Sequence, residues 1–528
     1  MTPNPIPRRT LITGAAAVGL AAGLPAAGST AAFAAPSTRP SSSFSTHTVL
    51  GWARDTWHSL VSMTDARTGL PADNIPAWLA AGDRSGYTSP TNIGGYLWSA
   101  VVAEELGLIR RAELVLRCRR TLATLLTMKH HVPSGMFYNW YDEADGSVIT
   151  TWPTDGSRIY PFLSSVDNGW LGAALWVVRN AVPEVRDAAD RLFTRMRWDM
   201  FYDADTAHPG VRPGGLMHGG FYDDTPPDGF AGYTGNHIGV GPDVWYTNHH
   251  YDTTVSETRI TSYLGIMTGQ IPARQYFAMW RTFPATSDWS WHESQPVGVN
   301  RTYLGLDVYE GAYQYRGMRI VPGWGGSMFE ELMPDVFVPE ATWAPRSWGL
   351  NHPLHVRAQR EHGLVEAGYG IWGFSPSSNP DGGYREYGVD ALGLNPEGYF
   401  SDQQKTNYDV GFGTFRKGTN PHPTFGDGVA TPHASFLAMA YEPRQAYANL
   451  ITLQHDYDGY GDGGFFDAIA SSSRKVAKRY LSLDQAMIMG AVGNVLGHDV
   501  VRRAFATRTV ERRLRPVLAL ERFGAGTD

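Results

Sequence analysis

Gly323-Trp-Gly-Gly-Ser-Met-Phe-Glu-Glu-Leu-Met-Pro334 places a glycine-rich turn directly before two adjacent carboxylates and an apolar Leu-Met pair stopped by Pro334. Glycines let a backbone approach a ligand where a side chain would block it. Trp324 and Phe329 supply flat apolar faces of the kind that stack on sugar rings. Burial of Glu330 beside them would raise its carboxyl pKa, as a general acid working near neutrality requires. A plainer reading also fits, a turn followed by a helix start with acids at the positive helix end.

Outward from this stretch the chain alternates helices with loops of very unequal length, and aromatic and acidic residues gather at the loop–helix junctions. Apolar spacing predicts helices over 49–63, 91–106, 110–128, 166–181, 183–201, 253–268, 272–281, 351–363, 432–440, 443–454 and 482–494. Strand-like alternation is scarce, with short candidates near 316–322 and 368–374. The pattern predicts an all-α fold of the (α/α)6 toroid type, with long aromatic-rich loops and a few short strands. No interior linker divides the body of the chain, which points to one catalytic domain over 48–515 and a C-terminal tail over 516–528.

The first 34 residues read as a targeting segment: Arg8-Arg9 precede an Ala/Gly/Leu-rich run that ends in Ala32-Phe33-Ala34. A twin arginine before a mildly hydrophobic segment predicts twin-arginine export and a secreted mature protein. Residues 35–47 are a Ser/Pro-rich linker. Beyond the signal no run reaches the roughly 18 apolar residues of a membrane span, so no membrane association is expected after cleavage. The net charge of −7, without a basic block, argues against nucleic-acid binding. A single cysteine, Cys118, excludes an intrachain disulfide and reads as a packing residue in its helix. Nothing in the sequence demands more than a monomer.

Four acidic settings carry candidate chemistry. Asp167 opens a helix in Ser164-Ser-Val-Asp-Asn-Gly-Trp-Leu171, where it also suits an N-cap. Glu257 and Arg259 lie in Ser256-Glu-Thr-Arg259, Glu330 and Glu331 in the opening stretch, and Glu386 in the aromatic, glycine-rich loop 369–388. Two carboxyl groups flanking a glycosidic bond are the usual equipment for hydrolysing it. Other chemistries lack their motifs: there is no Gly-x-Ser-x-Gly elbow, no Walker loop and no HExxH. Asp456–Asp467 imitates a calcium loop in part, and His249-His250 lack the spacing of a helical zinc pair. No metal or cofactor is expected.

The motifs VDNGWLGAALW (166–176), SETRITSYLGI (256–266), GWGGSMFEELMP (323–334) and GIWGFSPS (370–377) follow one another in a distinctive order. YREYGVDALGL (384–394), ATPHASFLAMAYEPRQAYANLITL (430–453) and YGDGGFFDAI (460–469) complete it. This order resembles the "putative glucoamylase" domain shared by bacterial endo-β-1,2-glucanases and the transglycosylating domain of cyclic β-1,2-glucan synthases. The resemblance implies an (α/α)6 barrel with a central sugar-binding cleft and metal-free cleavage or transfer at β-1,2-glucosidic bonds. It implies Glu330 or Glu257 as the acid, with the other or Asp167 on the water side. Trp170, Trp324, Phe329, Trp372, Tyr384 and Phe465 would stack on substrate, and Arg259, Arg385, Glu386 and His433 would hydrogen-bond sugar hydroxyls.

Two departures stand out, an aromatic-rich insertion over 286–315 and a long Gly/Tyr/His-rich loop over 202–252. Both are placed to reshape the cleft and with it the glycan selected. The expected function is a secreted glycoside hydrolase acting on a polysaccharide or oligosaccharide, a β-1,2-glucan before others. The alternatives are a transglycosylase on the same barrel, a polysaccharide lyase using His249, His250 and Tyr251, and a non-catalytic glycan-binding protein.

Overall fold

The computed structural model describes residues 44–205, 211–289, 292, 295–394 and 425–527, with the backbone of 400–401 and 404–405. The export segment and most of the linker lie outside the described residues. The first helix, α1 (Thr46–Met63), begins where the Ser45 hydroxyl accepts from the Thr48 amide. Then come α2 (Pro90–Glu105), α3 (Arg111–Thr127), α4 (Ser165–Ala181), α5 (Arg186–Thr194), α6 (Arg259–Thr268) and α7 (Gln275–Ala278). α8 (Met328–Leu332), α9 (Glu340–Trp343), α10 (Trp348–Glu361), α11 (Pro432–Ala438) and α12 (Pro443–His455) follow. α13 (Ser482–Leu496), α14 (Val500–Phe505) and α15 (Arg508–Leu518) complete the helices.

Burial separates these helices into two kinds. α2, α4, α6, α11 and α13 are buried around almost their whole circumference, the signature of helices enclosed by others. α3 and α15 instead bury one stripe, which in α15 is Val510, Leu514, Val517 and Leu518. α2 packs on α4 and α13, α4 on α6, and α11 on α13 and α8. The five enclosed helices and the short α8 each carry a neighbour: α3 on α2, α5 on α4, α15 on α6, α10 on α8, α12 on α11 and α1 on α13. Gly94 and Gly95 permit close approaches, since a Cβ would lie 2.9 Å from the Trp170 carbonyl oxygen or 2.8 Å from the Ala486 methyl. Trp98, Trp170, Trp198, Trp348 and Trp372 are fully buried, and one continuous core runs from Val49 to Ala525.

Several sequence expectations change. The two insertions are not merely loops: they carry the longest strands. Val297–Tyr303 and Leu306–Tyr315 form a long antiparallel hairpin, extended by Met318–Ile320 and Gly526–Thr527. Its tight turn places Leu304 and Gly305 at φ +49° and +81°, the pairing that suits a twisted two-residue hairpin. Residues 202–251 supply a three-stranded sheet and most of a four-stranded one. The fold is therefore helix-rich with accessory sheets rather than all-α.

The expected helix over 183–201 is α5 flanked by 3₁₀ turns, that over 253–268 begins only at Arg259, and that over 272–281 is the single turn of α7. The candidate strand near 316–322 is present as Met318–Ile320, whereas 368–374 forms none. Residues 516–527 are built into the body: α15 runs to Leu518, Glu521 pairs with buried Arg281, and Gly526–Thr527 joins a sheet. Cys118 is buried, and burial pushes its thiol up to about 12. No described helix is long and apolar enough to cross a membrane.

Candidate active site

Polar residues recur at the N-terminal ends of the enclosed helices. Ser164 caps α4 by accepting from the Asp167 amide, which puts Asp167 in the first turn. The Thr91 hydroxyl, one residue into α2, donates to Asp167 Oδ1 at 2.5 Å. On the next turn of α4, Trp170 Nε1–H donates to Glu257 Oε2 at 3.0 Å. Glu257, only 2% exposed, sits just before α6. The strand-like segments at Val255 and Gly323 run side by side as a parallel bridge. Thus three expected acids, Asp167, Glu257 and Glu330, belong to the starts of α4, α6 and α8.

Glu330 has the most telling environment. Its Oε2 accepts from the Gly325 amide at 2.9 Å, the Ser327 amide at 3.2 Å and the Ser327 hydroxyl at 3.0 Å. Oε1 receives only a second contact from the Gly325 amide, at 3.1 Å, so a carboxyl proton belongs on Oε1. The Ser327 hydroxyl in turn accepts from the Glu330 amide, which completes a capping box at the start of α8. The plain helix-start reading is therefore correct as far as it goes. Burial nevertheless raises the carboxyl to about 7, against the amide donors at Gly325 and Ser327, and the Glu386 charge pushes in the same upward direction. A half-buried carboxyl of this kind holds a proton near neutrality.

The 384–394 segment brings Glu386 close. The Val389 amide donates to the Gly326 carbonyl at 3.1 Å and the Leu394 amide to the Trp324 carbonyl at 3.0 Å. Trp324, Tyr384, Arg385 and Glu386 are each half-buried, and Arg385 Nη1 donates to the Tyr384 carbonyl at 3.2 Å.

Other expected contacts are interior. Arg259 is fully buried, and its donors go to the protein: to Glu340 at 2.7 and 2.8 Å, to the Ser256 carbonyl at 2.9 Å, and to the Glu330 and Glu331 carbonyls at 2.6 Å each. It ties α6 to α8 and α9 instead of meeting sugar hydroxyls. Against the cost of burial, Arg259 and His352 hold Glu340 down at about 2, while Glu331 and Glu340 raise His352 to about 9. Trp170 is enclosed with Trp98 and Phe337 and orients Glu257. Trp372 is held at both backbone ends by Asn449, and Phe465 packs between Trp52 and Phe436. Phe329 is buried, and His433, also buried, has Nδ1 2.9 Å from the Thr431 hydroxyl.

One acid pair escaped sequence reading. Asp467, quoted only as the end of a calcium-like run, accepts from the Ser378 amide at 2.6 Å. Burial and then the facing Asp484 push its carboxyl well above the ordinary range, and Asp484 Oδ2 lies 3.4 Å from His433 Nδ1. Within that run Tyr460–Gly461 pairs with Gly464–Phe465 as a small hairpin. The signal for Asp484 was available: an acid three residues into a helix start, as at 167 and 330.

Residues 249–508 match the family described as "Putative glucoamylase", and residues 51–208 match a family described as "Protein of unknown function (DUF3131)". The cyclic β-(1,2)-glucan synthase NdvB of Rhizobium meliloti is 25% identical over 266 residues, which is 48% of this chain but 7% of the synthase. Thus the chain spans a small part of that curated relative. An endo-β-1,2-glucanase from Chitinophaga pinensis, solved with sophorotriose and glucose, superposes with a TM-score of 0.58 at 15% identity, covering 90% of this chain and 98% of its own. The Talaromyces funiculosus endo-β-1,2-glucanase in complex with sophorose gives 0.58 at 12% identity, covering 90% of each chain. This chain therefore shares the fold of those glucanases and, through residues 249–508, resembles the putative-glucoamylase domain family.

Proposed function

We propose that this protein is a secreted glycoside hydrolase cleaving β-1,2-glucan, with Glu330 as the proton donor. The observation that carries the reading is the Glu330 carboxyl, held by the Gly325 and Ser327 donors in the turn after half-buried Trp324 and raised to about 7, with the Glu386 charge pushing it up. In this reading the five enclosed helices α2, α4, α6, α11 and α13, together with the short α8, close into the inner ring of an (α/α)6 toroid, and their N-terminal ends line the cleft. Trp324 and Tyr384 stack on glucose rings, and Arg385 and Glu386 bind hydroxyls. Glu257 or Asp167 supplies the ionised carboxylate that acts from the water side. Export through the twin-arginine route and a monomeric state complete the proposal.

The test is oligosaccharide release from linear β-1,2-glucan by the purified chain, followed by chromatography. Release that vanishes in Glu330→Gln and in Glu257→Gln supports the reading. Turnover of a different glycan only, through the same acids, would move the specificity into 202–252 and 286–315. Similarity to part of a cyclic glucan synthase favours one second reading, transglycosylation, which would appear as products longer than the substrate or cyclised.

A further inference from the structure

The 202–252 insertion gathers Asp203, His218 and His250 so that one ligand atom from each lies within 4.8 Å of the others. The backbone builds the group. Leu216–His218 is the central strand of a three-stranded sheet, with Tyr202–Asp203 on one side and His250–Tyr251 on the other. Register sets His250 opposite His218 and Asp203 opposite Leu216. Asp203 Oδ2 is 3.0 Å from His250 Nε2 and 3.6 Å from His218 Nε2, and the side chains of Asp203 and His218 are sealed from solvent. Ligands bound to one tetrahedral ion at 2.0–2.1 Å stand about 3.3 Å apart, so these separations need little adjustment.

We propose that Asp203, His218 and His250 form a binding site for a divalent transition ion of the zinc class. His218 Nδ1 is 2.9 Å from the Thr247 carbonyl. A carbonyl only accepts, so Nδ1 carries the proton and the Nε2 lone pair faces Asp203; this second contact is the kind that orients metal-binding imidazoles. The Tyr233 hydroxyl, 2.7 Å from His218 Nε2 and 3.1 Å from His237 Nε2, stands on the fourth side. Loading exchanges its bond to His218 for a metal bond, with Tyr233 oxygen, His237 or water as the fourth ligand.

A second grouping, Asp335, Glu340 and His352, is unsuited, because Arg502 and Arg259 already neutralise its carboxylates. The ion would clasp residues 47 positions apart and brace the short strand His250–Tyr251, six residues before Glu257.

The test uses the full chain, stripped with a chelator and desalted after exposure to Zn2+, with bound metal counted by mass spectrometry. One equivalent per chain is expected, with a melting temperature that rises as Zn2+ is added. Both responses should be lost in Asp203→Asn and in His250→Gln. Should these variants fail to fold, Co2+ added to the wild-type chain should give the visible bands of four-coordinate cobalt. No stoichiometric metal in the folded wild type, an unchanged equivalent in folded His250→Gln, or a six-coordinate cobalt spectrum would each overturn the proposal.

Discussion

Replacing Arg259 with methionine separates a positioning role from a substrate-binding one. Arg259 is sealed inside, makes a two-pronged ion pair with Glu340 and donates to three backbone carbonyls. Methionine keeps the volume and removes every one of those donors, leaving buried Glu340 with the Tyr263 hydroxyl and His352 as its side-chain partners among the described residues. Breaking one partner of a buried pair costs about 3–5 kcal/mol, and each stranded carbonyl adds to that. At about 2 °C per kcal/mol for a large domain, the melting temperature should fall by about 6–10 °C. Because Arg259 also fixes the Glu330 carbonyl, displacement of the acid should lower kcat by up to about a hundredfold, with KM little changed. Arg259→Lys should recover only part of either quantity, since an ammonium cannot form the fork. Differential scanning calorimetry and steady-state kinetics on the same preparations make the measurement. A variant that melts like the wild type but shows a raised KM would refute the argument and return Arg259 to the substrate.

Trp170→Phe keeps the packing against Trp98 and Phe337 but deletes the donor to Glu257; it should lower kcat with KM nearly constant, whereas a raised KM alone would make Trp170 a stacking platform. Trp324→Ala, at a half-buried ring beside Glu330, should do the reverse and raise KM by about tenfold, the effect of losing one stacking contact of about 1.4 kcal/mol. Cys118 should resist thiol reagents in the folded protein at pH 8, because burial holds its thiol near 12, and should react fully once urea unfolds the chain.

The helices were legible because a helix that is apolar all round, or striped at 3.6 residues, shows that period along its whole length. The hairpin over 297–315 was not. Its first strand is exposed at Val297 and Val299, next to each other on one face, and buried only at Tyr303, so no inside–outside alternation marks it. The strands of 202–251 are two to four residues long, too short to show a period, and are held in part by contacts among Asp203, His218 and His250 that no local rule reveals. In the cleft, acids at helix starts were readable as positions, with Glu330 the clearest. The roles of Trp170, Trp372 and Phe465 were not, since an aromatic ring at a loop–helix junction serves a core and a sugar equally well. Which way it faces is decided by neighbours distant in sequence, such as Asn449 for Trp372 and Trp52 for Phe465.

The central claim, that Glu330 delivers the proton, is tested most directly by the pH dependence of kcat/KM on linear β-1,2-glucan. A donor with a carboxyl raised to about 7 is protonated below that pH and ionised above it. Activity should therefore fall about tenfold per pH unit on the alkaline side, with a midpoint near 7. Glu386→Gln removes a charge that pushes the carboxyl up and should shift this midpoint to lower pH. An alkaline limb unmoved by Glu386→Gln, together with a Glu330→Gln variant that retains wild-type turnover, would contradict the account and leave Glu330 as the cap of its helix.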